Sequence, residues 1–198
     1  MGSEAVAVER HEPADHGAAP GDVLPRLTSL TDIDDAVRLG STFFRDSIHI
    51  AQRDKRPFRC DIEAAAVGPV LAGQVTYHGT VRIAVDSVDD TYAVHLFEGG
   101  LLDVATATRV LTVSPKTASI VRPHDPRVLT GWWTGNEKVT IFKFERRAME
   151  AELRRLSGSD RIGQIDFQPS LDLHAGRGAE WARFARAALT SGQALSGS

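Results

Sequence analysis

The chain has 198 residues, 42% of them hydrophobic and 25% charged, which is the composition of a globular protein with one sizeable core. Its net charge of −3 disfavours direct contact with nucleic acid, and no apolar run reaches the roughly 20 residues of a membrane helix, so neither partner is expected. Cys60 is the single cysteine, which excludes an internal disulfide and a four-cysteine zinc site and favours a reducing cytoplasm.

The first part of the chain predicts a flexible arm followed by one short helix. Residues 1–24 are rich in Ala, Glu, His, Pro and Gly and offer little to bury, which is typical of an arm. Thr31 can accept a hydrogen bond from an unpaired backbone N–H, and the three aspartates in the next four positions suit the positive end of a helix dipole. We therefore expect a helix from Thr31 to about Phe44, followed by a charged loop at 53–59.

Residues 60–145 contain short apolar runs that alternate with polar residues and are separated by turn residues. A two-residue period places successive side chains on opposite faces, so each run can bury one face in a core. Gly68-Pro69 divides residues 60–75 into two strands, because Gly-Pro would break a helix. Short strands at this spacing indicate an all-β sandwich or barrel, and we predict a β-barrel with a leading helix over residues 25–145. The further strands are expected near 74–78, 80–86, 91–97, 100–106, 109–113, 118–122, 128–133 and 138–144.

After residue 145 the pattern becomes helical. Met149, Leu153 and Leu156 share one face of a first helix, which should end at Gly158. A second helix is expected over 178–189, with one apolar stripe that consists of Trp181, Phe184, Ala185 and Ala188.

Two amphipathic helices in series favour an antiparallel hairpin, which we predict over residues 146–190. Residues 191–198 are rich in Gly and Ser and are expected to form a tail or a truncated linker. The hairpin is also the predicted surface of a homodimer, through Met149, Leu153, Leu156 and Trp181.

Aromatic residues on the predicted strands indicate a site for a small molecule. Small barrels can leave a cavity, and its wall would be mostly apolar with a few polar groups. Trp132 and Trp133 are adjacent on one strand, so only one of them can face inward. The alternative is that these rings simply fill the core. The candidate ligand-binding residues are Tyr77, His95, Phe97, Trp132 and Trp133.

No motif in the chain indicates catalysis. The sequence has no phosphate-binding glycine loop, nucleophile elbow or His-Glu-x-x-His helix. His95 lacks the second histidine and the carboxylate that a metal site on the same strand face would need. We therefore predict that the chain is not an enzyme and has no catalytic residue, metal site or cofactor.

The order of these segments resembles the N-terminal domain of AraC-type transcriptional regulators, in the subgroup with a divergent cupin-like sensor. The resemblance covers roughly residues 25–190 and rests on the order and spacing of the segments. The matching segments are 31–36, 79–83, 92–100, 113–115, 118–123, the helix at about 146–158, 165–167, 171–173 and 178–181.

The resemblance implies a cupin-like (jelly-roll) barrel followed by a helical hairpin, which binds a small effector, forms a dimer, or does both. In such regulators a C-terminal pair of helix-turn-helix motifs reads DNA, and nothing up to Ser198 resembles that half. We therefore expect a ligand-sensing and dimerisation domain that reaches DNA only through a part absent from this chain. A small metal-dependent cupin enzyme and a protein-interaction domain with a filled barrel remain the alternatives.

Overall fold

Antiparallel strands make up most of the fold, and three helices accompany them. A computed structural model describes residues 27–86, 90–99, 102–105, 110–123, 128–133, 135, 137–159 and 163–196; the predicted arm at 1–24 lies outside them. The elements are β1 (Thr28–Leu30), α1 (Ile33–Phe44), β2 (Ser47–Gln52), β3 (Cys60–Val67), β4 (Val70–Tyr77), β5 (Val81–Asp86), β6 (Thr91–Glu98), β7 (Leu102–Ala105), β8 (Val110–Val113), β9 (Thr117–Val121), β10 (Val128–Trp133), β11 (Glu137–Glu145), α2 (Arg146–Ser157), β12 (Ser170–Asp172) and α3 (Gly176–Ser196).

The strands pair into three sheets and not into one ring. The large sheet has the order β1-β3-β4-β11-β6-β9-β12, the second sheet is β10-β5-β2, and the third is the hairpin β7-β8. The mainly β character with helices is therefore confirmed. The predicted closure into a barrel is not found among the described strands, because no strand ladder joins the three sheets to one another.

The main hydrophobic core lies between the large sheet and the three-stranded sheet. Alternate residues of the large sheet point into it, and we call this side of the large sheet the inner face. Phe44 at the end of α1 also enters this core, and a Cβ on Gly73 would come within 2.9 Å of its ring, so the glycine lets the helix pack directly on β4. The core includes Ile48, Cys60, Ile62, Val75, Tyr77, Val81, Ile83, Phe97, Trp133 and Val139.

The opposite side of the large sheet, the outer face, carries a second core against α3. Val94, Leu96 and Phe142 are buried there, and Trp181 of α3 packs edge-on against Phe142 with 5.8 Å between ring centroids. A Cβ on Gly178 would lie 1.9 Å from the carbonyl oxygen of Asp172, so this glycine lets the start of α3 approach β12 closely. β6 is therefore covered on both faces, which explains why residues 91–97 are all buried.

Three local features differ from the expectations. Asp32, and not Thr31, caps α1: its backbone is extended, and its carboxylate accepts the N–H of Asp35 at 3.0 Å. The strand β2 was not predicted, although its short Ser-Ile-His-Ile run alternates polar and apolar residues, and it pairs with β5 along its whole length. The short edge strands β1 and β12 were also not predicted. Each is held in an extended conformation by pairing, β1 with β3 and β12 with β9.

The two C-terminal helices exist as predicted, but their buried faces differ. In α3 the buried residues are Ala182, Ala185 and Leu189, whereas Phe184 is 73% exposed and Ala188 is exposed too, so the predicted stripe was wrong for these two positions. The face that meets the sheet is rotated by about one residue from the predicted stripe. α3 also continues to Ser196, into the predicted tail.

The first of these helices, α2, does not bury its apolar face in this chain. Its buried residue is Glu150, while Leu156 is 67% exposed. The strand β12 and extended chain separate α2 from α3, so the short connection expected of a hairpin is not present. No helix in the described ranges has the length and apolar character needed to cross a membrane.

Asp54 fastens the loop after β2 to the turn before β5. Its carboxylate accepts the backbone N–H of Thr80 at 2.9 Å, the Gln52 side-chain amide at 3.0 Å and Nε of Arg56 at 3.1 Å. The hydrogen bond from Thr80, followed by that from Gln52, holds the pKa of Asp54 well below its ordinary value. Folding therefore favours the ionised carboxylate.

Replacing Asp54 by Asn should lower the melting temperature at neutral pH. The folded carboxylate binds a proton less readily than the unfolded one, so its contribution is complete above the unfolded pKa of about 3.9 and is lost as the pH falls below it. Thermal melts between neutral and acid pH should show a smaller loss of stability on acidification in the variant. Glu180→Gln, at an exposed position of α3, is the control and should keep the wild-type pH dependence.

Candidate functional site

Strand β6 lies at the centre of the large sheet and contributes to both of its faces. It pairs with β11 on one side and with β9 on the other. His95 and Phe97 lie on its inner face, and Tyr92, Val94 and Leu96 lie on its outer face. A displacement of this strand would therefore change the packing in both hydrophobic cores.

Three aromatic residues meet on the inner side of the core, and we call them the aromatic group. The Trp133 ring lies 5.3 Å from the Tyr77 ring and 6.1 Å from the Phe97 ring, measured between centroids. Trp133 is only 5% exposed, and among the described residues its Nε1 has no hydrogen-bond partner. A buried N–H without an acceptor costs roughly 1–3 kcal/mol of stability. The indole N–H of Trp133 is therefore suited to donate to an added acceptor. Burial raises the pKa of Tyr77 well above its ordinary value, so its phenol stays neutral.

His95 lies further along the same face of β6 and is held by a neighbouring strand. Its Nδ1 is 3.0 Å from the Ser119 hydroxyl, and both side chains are buried. The two residues are directly opposite each other in the β6–β9 pairing. In the described part of the chain, no three His, Cys, Asp or Glu side chains group in a way that could hold a metal ion.

Lys143 is a charged residue inside the core, and sequence reasoning missed it. Its Nζ lies 2.7 Å from Oδ1 of Asp46 and also donates to the carbonyl oxygen of Phe44, so it binds the end of α1. The Lys143 side chain is 3% exposed and that of Asp46 is 9% exposed. The two-residue alternation of Val139, Ile141 and Lys143 could have revealed it, because this period puts the lysine at an inward position of β11.

A second polar group, also missed, joins β6 to α2 and to the segment after it. The Tyr92 hydroxyl donates to Oε1 of Glu150 at 3.1 Å and accepts the backbone N–H of Ile165 at 2.7 Å. Arg146 of α2 binds both carboxylate oxygens of Asp90, at 2.5 and 3.1 Å. Desolvation, and then the Glu150 contact, raises the pKa of the Tyr92 phenol, so it remains a hydrogen-bond donor at neutral pH. We call the side chains of Tyr92, Glu150, Arg146 and Asp90 the Tyr92 network.

The structure brings together three of the five predicted ligand-binding residues. Tyr77, Phe97 and Trp133 form the aromatic group, and His95 lies two residues before Phe97 on the same strand face. The backbone of Trp132 pairs with Arg82, and its side chain lies outside the described residues.

The predicted dimer residues fall into two groups. Met149 and Leu153 are partly buried and Leu156 is exposed, so this face of α2 is accessible. The Trp181 ring instead packs against Phe142 of the same chain.

Comparisons with known proteins agree with this architecture. The chain matches the family model of the AraC-binding-like domain over residues 38–198. It is also 29% identical over 151 residues to the probable thc operon regulatory protein of Rhodococcus erythropolis. That stretch is 76% of this chain and 46% of that protein, so the chain spans less than half of that relative's length.

Two solved structures show partial similarity. The AraC-like transcriptional activator CuxR is 15% identical, with a TM-score of 0.47 over 67% of this chain and 52% of that chain. An RmlC-like cupin from Shewanella frigidimarina is 12% identical, with a TM-score of 0.37 over 46% of this chain and 80% of that chain. The family assignment rests on the family model, which covers more than half of the sequence: the chain belongs to the AraC-binding-like domain family.

Proposed function

We propose that this chain is the effector-sensing domain of an AraC-type transcriptional regulator, a cupin-like module that binds a small apolar or aromatic molecule between its sheets. Membership of the family and the aromatic group support the proposal. The single observation that carries it is the buried Nε1 of Trp133, which meets no acceptor within the part of the chain that the structure describes. A ligand placed beside Tyr77 and Phe97 would supply that acceptor and cover the rings.

Sensing would work through a shift between two arrangements of the domain. A ligand that prefers one position of β6 would favour the matching position of α2, because Tyr92 ties the strand to Glu150 of that helix. His95 and Phe97 are three and five residues from Tyr92 on the same strand, so β6 connects the proposed site with the helix.

Thermal-shift measurements against a library of small aromatics and sugars test the sensing function. A ligand present at about 100 times its Kd should stabilise the protein by about 2.7 kcal/mol and raise its melting temperature. Trp133→Phe should reduce this shift. The matched control Trp181→Phe removes an indole from the outer face and should keep the shift. If no compound in the library raises the melting temperature, the filled interaction domain is the better description.

We also propose that α2 forms the contact with a second copy of the chain. Met149, Leu153 and Leu156 provide an accessible apolar strip on this helix, and Leu156 is largely exposed. Trp181 is left out of this surface because its ring already packs within the chain.

Leu156→Glu should weaken self-association about tenfold or more, since it places a charge in an apolar contact. Sedimentation velocity over a range of protein concentrations measures this change. Val110→Glu is the matched control, because Val110 is 69% exposed but lies on β8, in a different part of the fold. Equal association of the wild type and Leu156→Glu would show that α2 is not the interface.

The remaining parts of the proposal concern the whole regulator. The chain spans 46% of the Rhodococcus regulatory protein, and we place the DNA-reading half in sequence outside this chain. With a net charge of −3 this domain would bind its effector and its partner copy in the cytoplasm, without touching DNA itself. We assign it a binding role and not a catalytic one, in line with the regulatory relative. Its parts would be the sensor at 25–145 and the helical region after it.

A further inference from the structure

We infer that the effector is an uncharged molecule that presents a hydrogen-bond acceptor, such as a carbonyl oxygen, to Nε1 of Trp133. This inference rests on the proposed sensing function and specifies the chemistry of the molecule that is sensed.

The acceptor follows from the chemistry of the indole group. An indole N–H can only donate, so an ammonium or another pure donor cannot satisfy it. The neighbouring rings of Tyr77 and Phe97 lie 5.3 and 6.1 Å away and offer mainly apolar surface. A lone buried water needs two to four polar partners, so an acceptor carried on an aromatic or aliphatic body fits these surroundings better.

The ionic groups at the two ends of the inner face disfavour an anion, and the need for an acceptor at the indole N–H excludes a cation that can only donate. Glu137 is directly paired with Tyr77 across β4 and β11, and its carboxylate accepts the N–H of Gly135 at 2.6 Å. A carboxylate at this end disfavours an anionic ligand beside the aromatic group. Lys143 is four residues beyond Val139, at the other end of β11, and already binds Asp46. It is six residues beyond Glu137, so it lies about 20 Å from this end along the strand, and its charge is neutralised by Asp46.

Four compounds of similar size separate the possibilities. Acetophenone carries a neutral acceptor, and isopropenylbenzene has the same shape with a CH₂ group in place of the carbonyl oxygen. Benzoate adds a negative charge, and the trimethylanilinium ion tests whether the aromatic group is a cation cage. Each is titrated into the whole chain, and binding is followed by ligand-detected NMR and by the indole ¹⁵N–H signal of Trp133, assigned by elimination from Trp132→Phe and Trp181→Phe.

Acetophenone should bind most tightly and move the Trp133 indole signal, and Trp133→Phe should weaken its binding about tenfold. The wild-type indole signal gives the answer even if that variant does not fold. Equal or tighter binding of any of the other three compounds would overturn the inference. If none of the four binds while the wider library still stabilises the protein, the inferred class is wrong and the sensing function stands. If no compound of the wider library raises the melting temperature either, the sensing function itself is wrong.

Discussion

Replacing Lys143 by Met should lower the free energy of unfolding by about 3–5 kcal/mol, because it leaves the Asp46 carboxylate buried without its partner. The variant also removes the donor that binds the carbonyl oxygen of Phe44 at the end of α1. Chemical denaturation at neutral pH measures the loss, and the slope of the transition shows whether the two-state behaviour is kept.

The double variant Lys143→Met/Asp46→Asn separates the buried charge from the lost packing. It should recover a large part of the stability, since the uncompensated charge is removed. Lys138→Met is the matched surface control on the same strand: Lys138 pairs with Glu98 at 3.0 Å, both side chains are about one-third exposed, and the expected loss is below about 1 kcal/mol. A comparable small loss for Lys143→Met would mean that the Lys143–Asp46 pair is solvated.

Tyr92→Phe should destabilise the protein by about 2 kcal/mol and loosen α2 before the rest of the fold. The variant keeps the ring and its edge-on contact with Phe167, at 5.5 Å between centroids, and removes only the hydroxyl. That change leaves the buried Glu150 carboxylate and the N–H of Ile165 without this partner, and each loss is costly. Hydrogen exchange should therefore speed up in α2 and around residue 165, and denaturation gives the overall loss.

Glu152→Gln tests whether this effect belongs to the Tyr92 network. Glu152 lies on the same helix but pairs with Arg155 at the surface, at 2.6 Å, so its replacement should leave exchange in the core of α2 unchanged. Uniformly faster exchange across the large sheet in Tyr92→Phe would contradict a local role. If ligand binding is then detected, the same variant should bind it normally and fail to pass the change on to α2.

Much of the fold followed from local patterns in the sequence. The strands β3 to β11 and the two C-terminal helices were expected close to their observed positions, because period and turn chemistry are properties of neighbouring residues. The separate strand expected at 74–78 is instead the end of β4. The missed strand β2 shows the limit of this reasoning. Its alternating run is short, and the pairing with β5 is what holds it in a strand conformation.

The candidate site was predictable in its residue types but not in its arrangement. Tyr77, Phe97 and Trp133 were selected because they are aromatic residues on strands, and the structure brings their rings together. Neither the unpartnered Nε1 of Trp133 nor the Tyr92–Glu150 bond could be seen in advance, since each depends on which side chains surround the group after folding.

The sequence by itself determined the alternation of the strands, the turns between them, the change to helix after residue 145 and the resemblance to AraC-type sensors. Tertiary structure alone decided that three sheets form in place of a ring, which face of α3 is buried and which polar groups pair inside. The physical reason is separation along the chain: Lys143 and Asp46 are 97 positions apart, and only the packing of α1 against the large sheet makes them partners.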